Sequence, residues 1–269
     1  MRKFSPEYLH RTREGMWEGS REALAPLSLG TRERILDAGA GTGELARVLD
    51  EESPGDVVCL DADRDLLGVA RETTGLDAVV GDATRPPFVA DAFDLVVCQA
   101  LLVNLTDPVD ALRAFARLST DRVAAIEPDN ADVGVDSTVE REVDLERRLR
   151  EAYIEGIETD VALGDRLVSL FRDAGFEAIE TRRYYHEKRV DPPYGEGALT
   201  AAARKARGTA LADHERELRR SLSAAEYDAL VDQWREMGRE VVDAMRDGTY
   251  RRVEVVPFDV VVGRVGADR

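Results

Sequence analysis

The chain has 269 residues, enough to bury a full core in one domain with an elaboration. Its 54 acidic against 37 basic side chains leave a net charge of −17, and only Lys3, Lys188 and Lys205 among the bases are lysines. There is thus no basic stripe to neutralise phosphates and no apolar run near the ~20 residues that span a bilayer. The charged N-terminus also lacks the apolar core of a signal peptide, so neither nucleic acid nor membrane is expected as a partner, and a cytoplasmic protein is.

The first segment, Tyr8-Leu9-His10-Arg11-Thr12-Arg13-Glu14-Gly15-Met16-Trp17, is rich in large side chains. Its spacing suits a helix that either folds over a ligand or packs Leu9 and Met16 on the core. The most telling stretch follows: Ile35-Leu36-Asp37-Ala38-Gly39-Ala40-Gly41-Thr42-Gly43-Glu44, an apolar run, an acid, then three alternating glycines. Residues 45–49 resume with helical spacing. A strand, a turn free of side chains and a helix N-terminus make a nucleotide-type pocket. A dinucleotide fingerprint would need Gly-x-Gly-x-x-Gly, but Glu44 takes the last glycine's place and Asp37 precedes the loop. Two carboxylates there repel a diphosphate and suit a cationic or zwitterionic ligand. S-adenosylmethionine, a sulfonium with an amino-acid tail and no phosphate, fits these charges.

The next runs repeat the pattern. Val57-Val58-Cys59-Leu60 ends in Asp61, 18 residues after Gly43, near the spacing at which an acid accepts from ribose hydroxyls. Asp63 caps a helix over 63–71, and Ala78-Val79-Val80 runs into Gly81-Asp82-Ala83. An acid at 82 can accept from an adenine amino group, with the Ala83 amide facing a ring nitrogen. Three successive strands therefore end in an acid on one sheet edge.

With residues 35–43, Asp61, Gly81-Asp82-Ala83 and the strand Phe93-Asp94-Leu95-Val96-Val97-Cys98-Gln99, the sequence resembles the class I S-adenosylmethionine-dependent methyltransferases over about residues 30–180. Asn104 stands near where that family often has a histidine, so no histidine chemistry carries over. The resemblance implies S-adenosylmethionine as cofactor. Its binding positions map onto Asp37, Gly39, Ala40, Gly41, Gly43, Asp61, Ala62, Asp82, Ala83 and Gln99, with Tyr8 and Arg13 reaching the methionine carboxylate.

Further on, 111–118 reads as a helix and Val123-Ala124-Ala125-Ile126 as a strand ending at Glu127-Pro128, where the proline begins a loop. Helices are expected over 138–157 and 163–174, a strand over 176–188, and a break at Asp191-Pro192-Pro193-Tyr194-Gly195. Two long helices follow, 198–221 and 223–245, the second carrying a capping box of Ser223 and Glu226. A valine-rich strand over 252–264 closes the chain, with Pro257 marking an edge or bulge. This order predicts an α/β fold: a doubly wound, mostly parallel, seven-stranded Rossmann-like sheet with a helical cap inserted before the last strand. The expected division is a helical segment over the cofactor (1–29), an α/β core (30–190), the cap (191–250) and the final strand (251–269).

The acceptor side is less defined. Glu127, at a strand end, is the candidate general base, or else a carboxylate bonded to loop amides. Tyr153, Tyr184, Tyr185, His186 and Trp234 are pocket walls or packing residues. No metal spacing exists: His10, His186 and His214 are far apart, and Cys59 and Cys98 read as small core residues in a reducing compartment. The leading expectation is in-line methyl transfer to a small molecule. The alternatives are an aminopropyltransferase of the same fold and a non-catalytic cofactor-binding module. The acidic surface resembles that of proteins adapted to high salt, and a homodimer is left open.

Overall fold

The apolar runs become the strands of one sheet in the computed structural model, which describes residues 4–13 and 15–266. In chain order the elements are α1 (Pro6–Arg13), β1 (Arg34–Ala38), α2 (Glu44–Glu52), β2 (Asp56–Asp61), α3 (Arg64–Thr74), β3 (Asp77–Val80) and β4 (Phe93–Gln99). Then come α4 (Pro108–Leu118), β5 (Ser119–Pro128), β6 (Gly134–Ser137), α5 (Glu140–Gly156), α6 (Arg166–Asp173) and β7 (Glu177–Val190). The chain ends with α7 (Glu196–Arg207), α8 (Thr209–Ala212), α9 (Glu215–Ser221), α10 (Ala224–Arg246) and β8 (Arg252–Arg264).

Two units divide the chain. The first holds the residues up to Pro128, Leu163–Tyr184, and those from Phe258 on; the second holds Asp129–Ala162 and Tyr185–Pro257. In the first unit the strands run β3-β2-β1-β4-β5 in parallel, β8 pairs antiparallel with β5, and β7 pairs with β8. The doubly wound, mostly parallel architecture is the expected one. Strand side chains alternate between faces, and the register shows which share one. Leu36, Ala38, Val58, Leu60, Val96, Cys98, Val123 and Ala125 form one buried face with Phe115 of α4 and Phe171 of α6. Asp37, Cys59, Val97, Gln99 and Ile126 belong to the other. Asp63 caps α3, accepting from the Asp65 and Leu66 amides.

The second unit has its own core, with Leu145, Ala152, Leu211, Leu218, Leu230 and Trp234 among its members. Here the structure departs from expectation twice. An eighth strand, β6, pairs antiparallel with the first residues of β8 (Val135 opposite Glu254). Its Gly-Val-Asp-Ser sequence has no alternation to mark it, and Pro257 falls between the β8 residues that pair with β6 and those that pair with β5. The helix expected over 198–221 is three helices. Gly208 adopts φ 73° and its amide turns back to the Arg204 and Lys205 carbonyls, which stops α7. The capping box of α10 forms in full. Beneath these helices Glu142 is fully buried, accepting from Ser137 Oγ (2.6 Å), Tyr250 Oη (2.9 Å) and the Lys205 ammonium.

Candidate active site

The glycine turn lies at the carboxyl edge of the first unit's parallel strands. Gly39, Gly41 and Gly43 have φ of 77°, 57° and 87°, a region costly for residues with a Cβ. Backbone bonds stitch the neighbouring loops together: the Gly39 and Ala40 amides donate to the Leu60 carbonyl, and the Gly81 amide donates to that of Asp61. Asp61 adds a side-chain tie, its Oδ2 accepting from the Gly41 amide and its Oδ1 from the Asp63 amide, both at 2.8 Å. The acid expected to face a ribose therefore also holds the loop in shape. At the end of β3, exposed Asp82 accepts from the amide and hydroxyl of Thr84, both at 2.8 Å, beside buried Ala83. Ala62 is exposed next to Asp61.

Under the turn, Asp37 is 1% exposed and neither carboxylate oxygen has a hydrogen-bond partner. Burial pushes its pKa up to about 7. The Arg13 charge opposes that rise, the Asp61 and Glu44 charges add to it, and the Ala46 amide favours the anion without reaching hydrogen-bond geometry. Glu44 opens α2 and folds back, its oxygens accepting from Thr42 Oγ1 at 2.7 Å. Arg13 reaches it at 3.4 Å.

Helix α1 lies on this turn. A Cβ on Gly41 would sit 3.1 Å from Leu9 Cδ1 and 3.2 Å from Arg13 Nη1, so Leu9 and Arg13 cover it together. They can do so because they are four residues apart on one helix face. Tyr8 is not on that face. It is 41% exposed and stacks on Phe4 at 5.4 Å, so the structure brings Arg13 to the loop and leaves Tyr8 outside.

Beyond β4 the two faces of the sheet part company. Gln99 lies on the same face as Asp37, two residues nearer the edge, and its Nε2 donates to Met16 Sδ at 2.7 Å. In register with it come Ile126, then Phe258 opposite Pro128, then Tyr184 stacked on Phe258 at 5.2 Å. Trp17 packs against Tyr184 at 5.5 Å. Alternation turns Glu127 to the opposite face. There it accepts from the amides of Leu101 (3.0 Å), Leu102 (2.9 Å) and Val103 (3.3 Å), and from the Cys98 thiol at 3.8 Å. Burial pushes its pKa up to about 7 against those four bonds. With its oxygens bonded to the loop amides and turned from Asp37 and Gln99, Glu127 anchors that loop.

Of the other expected walls, Tyr184 is buried in this patch while Tyr185 is 60% exposed. Tyr153 packs at a tilt against His214, and Trp234 belongs to the second unit's core. Trp17, Met16 and Phe258 complete this patch. Only the size of Trp17 and Met16 in the N-terminal segment, and the position of Phe258 one residue past Pro257, hint at them in sequence. Burial pushes the Cys59 thiol up to about 12. Among the described residues no group of His, Cys, Asp and Glu is set to hold a metal, and no helix is long and apolar enough to cross a membrane.

Comparison with known proteins bears on this geometry. Residues 36–122 match the methyltransferase domain family. The ubiquinone/menaquinone biosynthesis C-methyltransferase of Stenotrophomonas maltophilia is 36% identical over 95 residues, which cover 32% of this chain and 38% of that protein. The chain thus spans under two fifths of that relative's length. A candidate methyltransferase of Bacillus halodurans shares the fold over 93% of this chain and 100% of its own, with TM-score 0.55 and 16% identity. Phosphoethanolamine N-methyltransferase 2 of Haemonchus contortus, solved with phosphomonomethylethanolamine and S-adenosylhomocysteine, matches 93% of this chain and 53% of its own, with TM-score 0.50 and 18% identity.

Proposed function

We propose that the protein, whose residues 36–122 match the methyltransferase domain family, transfers a methyl group from S-adenosylmethionine to a small molecule. The observation that carries this reading is the charge under the glycine turn. Asp37 is buried and unpartnered, Asp61 and Glu44 stand by it, and Arg13 is the cation beside them. A diphosphate would meet three carboxylates there, whereas an ammonium and a sulfonium would be welcomed.

In this reading Asp37 receives the amino group, and Arg13 exchanges Glu44 for the methionine carboxylate. Asp61 and Ala62 face the ribose, and Asp82 and Ala83 the adenine. The backbone of Gly39, Ala40, Gly41 and Gly43 gives a surface that a ligand can approach closely, and Gln99 borders the space beyond. Bound there, the cofactor would supply an electrophilic methyl carbon for in-line transfer to the acceptor. Positioning the two reactants would supply much of the acceleration, so a base is needed only where the acceptor must give up a proton. The reading extends to the setting. A cytoplasmic, salt-adapted enzyme that does not act on nucleic acid is supported by the net charge of −17 and the buried free thiols of Cys59 and Cys98.

Calorimetry with S-adenosylmethionine, S-adenosylhomocysteine, decarboxylated S-adenosylmethionine and NAD tests it. The first two should bind and NAD should not, and Asp61→Ala should weaken binding about tenfold or more, as expected for lost charge-assisted hydrogen bonds. Binding of NAD in preference to the first two would overturn the assignment, and preference for the decarboxylated form would favour aminopropyl transfer. A labelled-methyl screen of small-molecule pools in molar salt should then show transfer; tight cofactor binding without it would point to a binding module.

A further inference from the structure

Helix α4 and the loops after β3 and β4 line a solvent-open cavity of about 430 Å³ that the cofactor reading leaves unused. The helix contributes Asp110, Arg113, Ala114 and Arg117, spaced three and four apart on one face. Arg85 comes from the loop after β3, and Thr106 from the segment before α4. In a chain of net charge −17, three guanidinium groups on one cavity are a local reversal. They are also poorly paired. Elsewhere Arg219 holds Glu215 at 2.6 Å and Arg204 holds Asp213 at 2.7 Å. Here Arg113 meets Asp110 only at 3.5 Å and otherwise donates to the Asp173 carbonyl, while Arg117 donates to that of Phe88, each at 3.2 Å. The Arg85 side chain has no hydrogen-bond or ion-pair partner among the described residues. Asp107, the other acid of the lining, is occupied in capping α4 through the Asp110 amide.

We propose that this cavity binds a phosphoryl group, at a site separate from that of the cofactor. Each guanidinium carries five N–H donors in a planar fork, and few of the fifteen are engaged by the protein. A tetrahedral phosphoryl group presents three or four oxygens and can take several forks at once, whereas a carboxylate has two. The exposed Thr106 hydroxyl is a further neutral donor. Leu105 and Ala114 give an apolar floor on which the carbon part of a monoester can lie. Asp107 and Asp110 hold the lining to a net +1, which suits one small anion and is too little to retain nucleic acid. The cavity adjoins the cofactor side without sharing it. Thr84, on its wall, donates its amide and hydroxyl to Asp82, the residue proposed to face the adenine.

The test is calorimetry at pH 8 and fixed ionic strength, on the free protein and on protein saturated with S-adenosylhomocysteine. The titrants are inorganic phosphate, glycerol 3-phosphate and acetate. Both phosphates should bind one to one in either state, and acetate about tenfold or more weakly. Tighter binding of glycerol 3-phosphate assigns the site to a monoester, and tighter binding of inorganic phosphate to the free ion. Arg85→Ala should weaken phosphate about tenfold, as for a lost charge-assisted hydrogen bond, and Asp110→Asn should strengthen it about twofold. Arg147→Ala removes the same charge from exposed α5 and should change phosphate affinity less than about twofold. The comparison of ligands on the unaltered protein stands whatever the variants do. No binding of either phosphate, acetate binding as tightly, or equal losses in Arg85→Ala and Arg147→Ala would overturn this proposal alone. Phosphate displaced by S-adenosylhomocysteine would put the anion at the glycine turn and overturn it together with the charge argument for the cofactor. Failure to bind S-adenosylhomocysteine would overturn the methyltransferase reading, and the titrations of free protein would still decide this one.

Discussion

At Asp37 burial and charge work against each other. Its carboxyl, ordinarily at 3.8, is raised to about 7, so the folded chain holds the proton more tightly than the unfolded one does. The stability cost of Asp37 is therefore absent below about pH 4, grows as pH rises, and is complete above about pH 7. Asp37→Asn should make the ligand-free protein more stable at pH 8 by about 1–3 kcal/mol, the amide's own unmet bonds offsetting part of the gain. Urea unfolding across pH should show the gap closing toward pH 4; a gap that does not change with pH would mean the carboxyl is not perturbed. The same variant should bind S-adenosylhomocysteine more weakly if, as proposed, Asp37 receives the ligand's ammonium. Stability given up for function is a familiar exchange at such positions.

At the scale of elements, the α10 capping box offers a clean comparison. Ser223→Ala removes the bond to the Glu226 amide in the second unit, and should cost about 1 kcal/mol in thermal unfolding. It should leave S-adenosylhomocysteine affinity unchanged, and a loss of affinity would mean that α10 shapes the cofactor site. Local chemistry of this kind was readable in advance. Asp63 and Ser223 announce their caps, and the apolar runs ending in Asp37, Asp61 and Asp82 announce the parallel strands and their common edge. What escaped reading is set by distant pairing. Strand β6 exists because β8 offers it a partner, not because Gly134 to Ser137 favour extension. Gly208 reads as tolerable within a helix until its left-handed conformation is seen. The turn and its acids are contiguous and could be read together, whereas the juxtaposition of Trp17, Gln99, Tyr184 and Phe258 arises only through strand pairing and the path of the N-terminal segment, although Gln99 and Tyr184 were each singled out in sequence. Tyr8 was misplaced because choosing between neighbours on α1 requires knowing which helix face meets Gly41.

For the molecule as a whole, charge is the dominant feature. Many of its ion pairs are exposed and join residues three or four apart, such as Arg47–Glu51 and Arg147–Glu151, and such pairs contribute little. The net −17 repels itself over longer distances. Raising KCl from 0.1 to 1 M shortens the screening length from about 10 Å to about 3 Å. Repulsion should be screened more than the pairs are weakened, raising Tm by roughly 3–6 °C. A fall in Tm over that range would show that local pairs outweigh the excess charge and would remove the support for salt adaptation.

The sheet assigns its tasks by odd and even count. In β4, Cys98 joins the packed core while Gln99 borders the site; in β5, Ile126 continues the site face while Glu127 anchors a loop. One residue inserted into β4 would exchange the two sets, sending an amide into the core and a thiol toward the ligand. Sequence drift here is thus confined: β4 and β5 can change side chains but not length. Insertions and deletions must be absorbed outside the strands, as in the exposed turn around Val89 to Asp91 that leads into β4.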